Sequence, residues 1–239
     1  EDELYLLMGT DMFLSLQSWR QPERIAALAH IAPFRREREN DPAAFAAQKE
    51  RLERDYGASV TVVPNPDVVD ISSTEVRAAL AQGRGEDMLP PAVWGYICRE
   101  RLYGTHTDLK HLTPDELRPV ALSYLKPKRM PHVLGTEQEA VRLAERYGAD
   151  VTKARVAALL HDCTKKLDMA EQLALCERYR IPLDELERKA LKLLHSKTGA
   201  AIARDVFAVD DEVYNAILYH TTGKPDMTLL EKIIYLADY

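Results

Sequence analysis

The sequence predicts an α/β domain over residues 1–104, followed by an all-α domain over residues 113–239. In the first part, short apolar runs alternate with helical patterns, which is typical of a parallel sheet with crossover helices. From Thr113 onward, apolar residues recur at helical spacing and the sequence shows no strand pattern. The polar stretch between 104 and 113 separates the two patterns and is the predicted domain boundary.

Three strands and four helices are predicted in the first part. The strands are apolar or β-branched runs at residues 4–8, 29–34 and 60–63. The helices occupy residues 22–28, 43–56, 73–81 and 91–103. A proline in the first turn marks the start of the first and the last of these helices, and Asp41 is the predicted cap of the second.

The second part opens on a capping pattern. Thr113 is followed by Pro114 and, three residues on, by Glu116, a combination that predicts the start of a helix. Further helices are predicted at residues 133–147, 151–165, 168–179, 183–194, 196–207, 210–219 and 228–238.

Composition excludes several classes of protein. The chain has 239 residues, of which 46% are hydrophobic and 29% are charged, as is typical of soluble globular proteins. No run approaches the ~20 apolar residues of a membrane-spanning helix. Three widely spaced cysteines argue against a disulfide framework and predict a cytoplasmic protein. A net charge of -6 argues against a protein that coats nucleic acid.

Six imidazole and carboxylate side chains in the second part form a candidate metal centre. They are His132, His161, Asp162, His195, His220 and Asp238. Several of them interrupt apolar helical patterns, where an ionisable group needs a partner to be buried, and a shared metal ion is the simplest partner. Each histidine taken alone has a simpler interpretation as a surface residue or a hydrogen-bonded core residue. The joint order across separate helices is what favours a metal site.

The types of ligand restrict the choice of metal. Imidazole nitrogens with carboxylate oxygens suit Fe, Mn, Zn or Ni better than Mg or Ca. Six ligands exceed the needs of one tetrahedral zinc ion and suit one octahedral ion or a pair of ions, with Asp162 as a carboxylate that can bridge. A pair of ions would stabilise both the attacking and the leaving oxygens of an in-line phosphoryl displacement.

Basic residues flank the candidate ligands. Lys165 follows Asp162 by three positions, on the same face of the predicted helix, and is either a phosphate contact that stabilises developing charge or a solvated lysine. Lys126, Lys128 and Arg129 lie shortly before the first candidate ligand. They either widen a polyphosphate-binding rim or form a solvated helix end, and the second interpretation is preferred.

The order of the six candidate ligands resembles that of the HD-domain metal-dependent phosphohydrolases. The flanking segments are similar to the YqeK-like branch of that family, the symmetrical diadenosine tetraphosphate hydrolases. These segments are R-M-P-H-V-L-G-T at 129–136, A-E-R-Y-G-A-D at 144–150, A-A-L-L-H-D-C-T-K at 157–165, H-S-K-T-G-A at 195–200, and Y-H-T-T-G-K-P-D-M-T-L-L-E-K-I-I-Y-L-A-D at 219–238.

The resemblance implies an HD-domain helical bundle in which all six residues bind metal. It implies a centre of two divalent transition-metal ions, with iron favoured and manganese or zinc as alternatives. It further implies that the substrate is split into two ADP. We expect Asp162 and Lys165 to be the catalytic residues of that hydrolysis. In the family the chain continues past the position of Asp238, so either residues follow Tyr239 in the natural protein or the metal site is weakened.

The first part contains two candidate phosphate contacts. Gly9 and Asp11 follow a predicted strand, which is where open α/β sheets bind ligands. Ser73 and Thr74 open a predicted helix, whose unpaired N–H groups favour a phosphate, and Arg77 adds a charged fork one turn later. Helix capping alone would also explain the serine and the threonine.

Three segments of the first part resemble the nicotinate-nucleotide adenylyltransferases, which move AMP from ATP to nicotinate mononucleotide in NAD synthesis. The segments are M-G-T-D-M-F-L-S-L-Q-S-W at 8–19, I-S-S-T-E-V-R at 71–77 and P-P-A-V-W-G-Y-I-C-R-E-R-L-Y-G at 90–104. The resemblance implies a partial Rossmann-like nucleotidyltransferase domain with ATP as its substrate in the full-length protein. It places the nucleotide near Gly9, Asp11, Trp19, Ser73, Thr74 and Arg77, although Trp19 alone is better explained as a core residue.

The glycine-rich strand and the His-x-Gly-His motif of that family are absent from this sequence, so we expect the natural protein to be longer at its N-terminus. The combined prediction is a cytoplasmic hydrolase of nucleotides fused to a domain of NAD biosynthesis, acting on small-molecule nucleotides and without nucleic-acid or membrane partners. One alternative gives the main role to the adenylyltransferase, with an auxiliary helical domain. Another is a nucleotide sensor whose metal is structural. A homodimer and other nucleotide substrates stay open.

Overall fold

A computed structural model describes residues 3–34, 42–64 and 71–239. The chain divides into two compact units, Glu1–Ser73 and Thr74–Tyr239. No helix of the described residues is long and apolar enough to cross a lipid bilayer. The predicted cap Asp41 lies outside the described residues.

The first unit is built on a small parallel sheet. Strand β1 (Tyr5–Met8) pairs with β2 (His30–Pro33), and Tyr5 lies opposite His30. The predicted third strand is reduced, within the described residues, to isolated parallel bridges that Val60 and Val63 make with the second strand and its extension. A two-stranded parallel sheet is therefore what the described residues form, and a complete Rossmann-like domain is not present among them.

Three helices accompany this sheet. They are α1 (Thr10–Ser15), α2 (Pro22–Leu28) and α3 (Pro42–Tyr56). The buried Phe13 and Phe45 rings meet with their centroids 4.7 Å apart, and the amide of Gln48 donates a 2.9 Å hydrogen bond to the carbonyl of Phe13. Trp19 packs against the same apolar cluster, in agreement with the core interpretation of that residue. The predicted turn after the first strand is replaced by the helix α1.

The second unit consists of helices. They are α4 (Ser73–Leu80), which begins at the last residue of the first unit, α5 (Pro91–Glu100), α6 (Pro114–Ser123), α7 (Met130–Tyr147), α8 (Val151–Leu160), α9 (Met169–Arg178), α10 (Leu191–Phe207), α11 (Asp211–Tyr219) and α12 (Leu229–Ala237). The predicted capping box is present, since the Thr113 hydroxyl accepts from the Glu116 N–H while the Glu116 carboxylate accepts from Thr113. Helix α5 packs against α6, so the two helices share one compact unit although the predicted boundary at 104–113 separates them.

Two predicted helices differ from the observed ones. Helix α8 ends at Leu160 instead of Lys165, and residues 161–166 form a tight turn held by i to i+3 hydrogen bonds such as Lys165 N–H to Asp162 C=O. The predicted helix 183–194 is represented only by a short 3-10 turn, Glu187–Lys189, and by the first residues of α10. Ala190, with φ -111° and ψ 74°, separates the two because its backbone is not helical.

Helix α8 is the centre of the bundle. Its residues Ala154, Ala157, Ala158, Leu159 and Leu160 are buried, and it packs against α6, α7, α11 and α12. The last four residues of α8 are apolar and buried, which is stable only when neighbouring helices surround them, and the alanines of α8 let those helices approach closely. The position of α8 fixes the place of the two residues that follow it, His161 and Asp162.

Gly95 marks the closest approach of α5 to α6. A Cβ atom at this position would lie 1.8 Å from the carbonyl oxygen of Pro119, a main-chain atom that cannot rotate away. We expect Gly95→Ala to lower the free energy of unfolding by about 1–3 kcal/mol or more, because it overpacks this contact. Urea unfolding followed by circular dichroism measures the change.

Gly135 provides the matched control. It lies exposed within α7, and a Cβ atom there would meet nothing within 4 Å. Gly135→Ala should leave stability unchanged or raise it by up to about 1 kcal/mol, since alanine is the better helix former. A Gly95→Ala protein as stable as the wild type would contradict the close packing of α5 on α6.

Candidate metal centre

The six predicted ligands meet at one end of the helical bundle. His161, His220 and Asp238 directly follow α8, α11 and α12, so each lies where an apolar helix delivers it. His132 lies in the first turn of α7, and His195 lies near the start of α10. Residues up to 106 positions apart thus come into contact, since His132 and Asp238 are hydrogen-bonded at 2.8 Å.

One side of the cluster is formed around Asp238. Its Oδ1 lies 2.8 Å from His132 Nε2 and 3.2 Å from His161 Nε2. His161 Nε2 also lies 3.6 Å from Asp162 Oδ2. These nitrogens and oxygens therefore face a common point.

The other side of the cluster is formed around the second carboxylate oxygen of Asp162. Oδ1 lies 3.3 Å from His195 Nε2 and 3.9 Å from His220 Nε2, and these two nitrogens are 3.1 Å apart. Three overlapping groups of potential ligand atoms result, each with its atoms within 4.8 Å of one another. Asp162 belongs to two of the groups, so its carboxylate lies between the two sides of the cluster.

The backbone orients three of the imidazole rings. In His161, His195 and His220, Nδ1 lies 2.6 to 2.8 Å from the carbonyl oxygen three residues earlier in the chain. A carbonyl oxygen only accepts hydrogen bonds, so each Nδ1 carries the proton and donates. Each Nε2 then presents a lone pair to the cluster, which is the tautomer that binds a metal.

This arrangement fits a transition-metal centre and leaves polar atoms unsatisfied without one. His161 and Asp162 are completely buried, and His161 Nε2 and Asp162 Oδ1 have no hydrogen-bond partner among the described residues. The Nε2 lone pairs of His195 and His220 also face each other. Unsatisfied buried groups of this kind cost free energy, and a cation bound among them would remove that cost.

The protonation states suit metal ligation. Burial lowers the pKa of His220 to about 3, with the neighbouring His161 acting in the same direction, so its ring is neutral at pH 7. Burial by itself raises the pKa of Asp162, but contact with His195 and the proximity of His161 and Lys165 outweigh it and hold this pKa below its ordinary value. Asp238 behaves in the same way: burial raises its pKa, but contact with His161 brings it down to about 2.

Two cationic side chains border the cluster. Arg129 Nε lies 2.5 Å from Asp162 Oδ2, and its Nη2 lies 3.7 Å from Asp238 Oδ1. Lys165 Nζ lies 2.9 Å from His195 Nε2 and 3.7 Å from Asp162 Oδ1. The preferred interpretation of Arg129 as part of a solvated helix end is therefore wrong. Lys165 faces the cluster, which agrees with the first of its two interpretations, although it lies on the turn after α8 and not on a helix.

A buried polar network supports the turn that carries Asp162. The Thr164 hydroxyl donates to the carbonyl of His195 at 2.9 Å, and the Gln172 amide donates to the carbonyl of Thr164 at 2.7 Å. Thr198 connects to both side chains, at 2.9 Å from Thr164 Oγ1 and 2.5 Å from Gln172 Oε1. The network ties the turn to α9 and α10 and thereby fixes Asp162 relative to His195.

The sequence analysis missed the contributions of two hydroxyl groups. Thr221 Oγ1 lies 3.1 Å from His220 Nε2, and Thr164 holds the turn as described above. Both threonines lie within two residues of a candidate ligand. That proximity is a signal, but a threonine after a helix is too common to be selected on sequence alone.

The six predicted nucleotide contacts of the first part lie on several elements and are divided between the two compact units. Gly9 is the buried cap of α1 and Asp11 is exposed on that helix. Ser73, Thr74 and Arg77 are exposed on α4, with Ser73 the last residue of the first compact unit and Thr74 the first of the second. Trp19 is half-buried in the first unit. Binding of nucleotide by these six residues stays a prediction.

Comparison with known proteins identifies a family whose members are similar to the part of the chain that forms this cluster. The model of the family described as HD domain matches residues 129–239. A symmetrical bis(5'-nucleosyl)-tetraphosphatase from Halalkalibacterium halodurans is 42% identical over 127 residues, which cover 51% of this chain and 67% of that protein. A crystal structure of an HD superfamily hydrolase described as involved in NAD metabolism, from Clostridium acetobutylicum, is 42% identical and has a TM-score of 0.51. The match covers 54% of this chain and 68% of that one.

A further relative matches both parts. The probable nicotinate-nucleotide adenylyltransferase/Ap4A hydrolase of Mycoplasma genitalium is 28% identical over 240 residues, which cover 99% of this chain and 59% of that protein. The chain therefore spans about two thirds or less of the length of the curated relatives that it matches.

Removing one imidazole from the cluster should remove bound metal. We expect His161→Ala to lose at least one of the bound ions and to lose the thermal stabilisation that metal gives the wild type, because a ligand that binds only the folded state adds about 2.7 kcal/mol at 100 times its Kd. Metal analysis of the purified protein and thermal melts with and without chelator measure both effects.

His111 supplies the control. It is exposed, pairs with Asp108 and lies outside the cluster. His111→Ala should keep the metal content and the chelator-dependent shift of the wild type. Full metal occupancy in His161→Ala would remove this residue from the proposed ligand set.

Proposed function

Because this chain belongs to the HD-domain hydrolases, we propose that its helical part is a metal-dependent phosphohydrolase that splits diadenosine tetraphosphate into two ADP. The observation that carries the proposal is the buried Asp162 carboxylate, which lies between two groups of imidazole nitrogens and whose Oδ1, like His161 Nε2, has no hydrogen-bond partner among the described residues. The name of the Halalkalibacterium relative supports the substrate.

The proposed ligands form overlapping groups, and Asp162 belongs to two of them. It lies with His132 and His161 in one group and with His195 and His220 in another, while Asp238 lies beside His132 and His161. Divalent transition-metal ions held there, with iron favoured and manganese or zinc as alternatives, would supply Lewis acidity toward a phosphoryl oxygen and toward an attacking water. Imidazole-rich coordination favours these metals over magnesium and calcium.

The chain's own cations would perform a second task. Phosphoryl transfer places negative charge on the oxygens of the reacting phosphorus, and a preorganised cation close to those oxygens stabilises the transition state. Lys165 and Arg129 point at the ligand cluster from its rim and suit this role. Arg129 can present two parallel N–H groups to a phosphate, whereas Lys165 acts as a point charge.

Burial contributes to the chemistry as well. His161, Asp162, His195 and His220 are all at least 98% buried, so the reacting groups would operate with little surrounding water. In such a site fixed charges and dipoles act more strongly than they do in bulk solvent. The neutral His220 ring and the Asp162 and Asp238 carboxylates, whose pKa values are lowered, are already in the state that ligation requires.

We further propose that residues 1–104 belong to a nicotinate-nucleotide adenylyltransferase domain that uses ATP. The match to the Mycoplasma protein over 99% of this chain supports the fusion, since the name of that protein contains both activities. A natural full-length protein assayed for ATP-dependent formation of the dinucleotide from nicotinate mononucleotide tests it. Absence of that activity, with hydrolysis retained, would limit the enzymatic function to the helical part.

Product analysis separates the enzyme from a nucleotide sensor. We expect the metal-loaded protein to convert diadenosine tetraphosphate into ADP, without ATP and AMP, as resolved by anion-exchange chromatography. Binding without turnover in metal-loaded protein would favour the sensor, and formation of ATP and AMP would contradict symmetrical cleavage.

The role of Lys165 is tested by substitution. We expect Lys165→Gln to lower kcat by about 100-fold, since loss of one preorganised donor to developing charge typically costs that much. Metal content should be retained, which distinguishes this variant from His161→Ala. Lys110 is exposed and lies outside the cluster, so Lys110→Gln is the matched control and should keep the kcat of the wild type.

A further inference from the structure

A basic pocket lies beside the metal centre. It has a volume of about 240 Å³, equivalent to roughly eight water molecules at about 30 Å³ each. Its lining consists of one leucine and five cationic side chains, which are Leu125, Lys126, Lys128, Arg129, Lys165 and Lys166. No carboxylate lines this pocket.

Three of the five cations of the basic pocket form no ion pair among the described residues, whereas Arg129 and Lys165 face Asp162. Lys126, Lys128 and Lys166 have no carboxylate oxygen within 4.0 Å among the described residues. The Lys166 ammonium reaches only a carbonyl, that of Ser123 at 3.4 Å. Burial and the nearby Arg99 lower the pKa of Lys166, so an anion in the pocket would favour its charged form.

The basic pocket is continuous with the metal centre. Two of its lining residues are also the cations at the rim of the cluster, because Arg129 contacts Asp162 and Lys165 contacts His195. Lys126 and Lys128 flank Pro127 on the exposed 3-10 turn that ends at Arg129. A linear anion with one end in the cluster would therefore lie beside Lys126, Lys128 and Lys166.

We propose that this basic pocket is a polyphosphate subsite, in which Lys126, Lys128 and Lys166 bind the phosphates next to the one that is hydrolysed. The inference rests on the proposed function and makes the site selective for nucleotides with an extended phosphate chain over nucleoside monophosphates. Clustered, unpaired cations next to a cleft concentrate polyanions, and their effect grows with the charge of the ligand. The interpretation of Lys126 and Lys128 as a solvated helix end is replaced by this role.

Equilibrium binding of ADP and AMP to the purified protein tests the subsite without turnover. We expect the wild type to bind ADP at least tenfold more tightly than AMP by isothermal titration. In the Lys126→Gln/Lys128→Gln variant this ratio should fall about tenfold, as expected for loss of two partly exposed ion pairs. Both lysines are exposed, so the variant should fold as the wild type does, which circular dichroism verifies.

The proposed subsite also predicts a kinetic effect in the same variant. Its KM for diadenosine tetraphosphate should rise about tenfold while kcat changes less than threefold, because the lysines lie outside the ligand cluster. The control is Lys110→Gln/Lys189→Gln, which removes the same charge from exposed positions outside the pocket and should keep both the binding ratio and the KM of the wild type.

The outcomes separate the two proposals. An unchanged ADP to AMP ratio, an unchanged KM, or an equal effect in the control variant would each overturn the subsite and leave the hydrolase intact. Failure of the wild type to cleave diadenosine tetraphosphate would overturn the substrate assignment, and the binding ratio would still decide whether the pocket recognises extended phosphates.

Discussion

The architecture of the helical part depends on one buried carboxylate. Asp162 is completely enclosed, yet it is held in its charged state, with His161, His195 and His220 around it and Arg129 on its outer side. A buried charge is tolerated only when its partners compensate for the lost hydration. His161 Nε2 and Asp162 Oδ1 nevertheless have no hydrogen-bond partner among the described residues. Their unpaired state lowers the stability of the bundle, and a bound cation would remove that cost.

The rest of the bundle holds this carboxylate in place. Alanine-rich α8 is surrounded by other helices and delivers His161 and Asp162 to the cluster, while the network of Thr164, Gln172 and Thr198 fixes the following turn. Backbone carbonyls set the tautomers of three imidazoles. Support of this kind keeps ligand geometry constant while substrate and products exchange, which is why the surrounding residues matter as much as the ligands.

The chain carries a net charge of -6, yet five cations line one pocket at the edge of the metal centre. Local field, and not net charge, decides where an anionic substrate accumulates. Total composition argued against nucleic-acid coating but carried no information about this pocket.

The sequence by itself determined most of the helical elements, the capping box at Thr113 and the six ionisable residues of the cluster, because helical periodicity, caps and polar interruptions of apolar runs are local patterns. It could not determine that α8 ends at Leu160 or that Val60 and Val63 make only isolated bridges, since tertiary contacts override such propensities. Only the tertiary structure decided that Arg129 faces Asp162 and that the lysines line a common pocket. The physical reason is that these contacts join residues far apart in the chain, and their distances follow from helix packing and not from any local pattern.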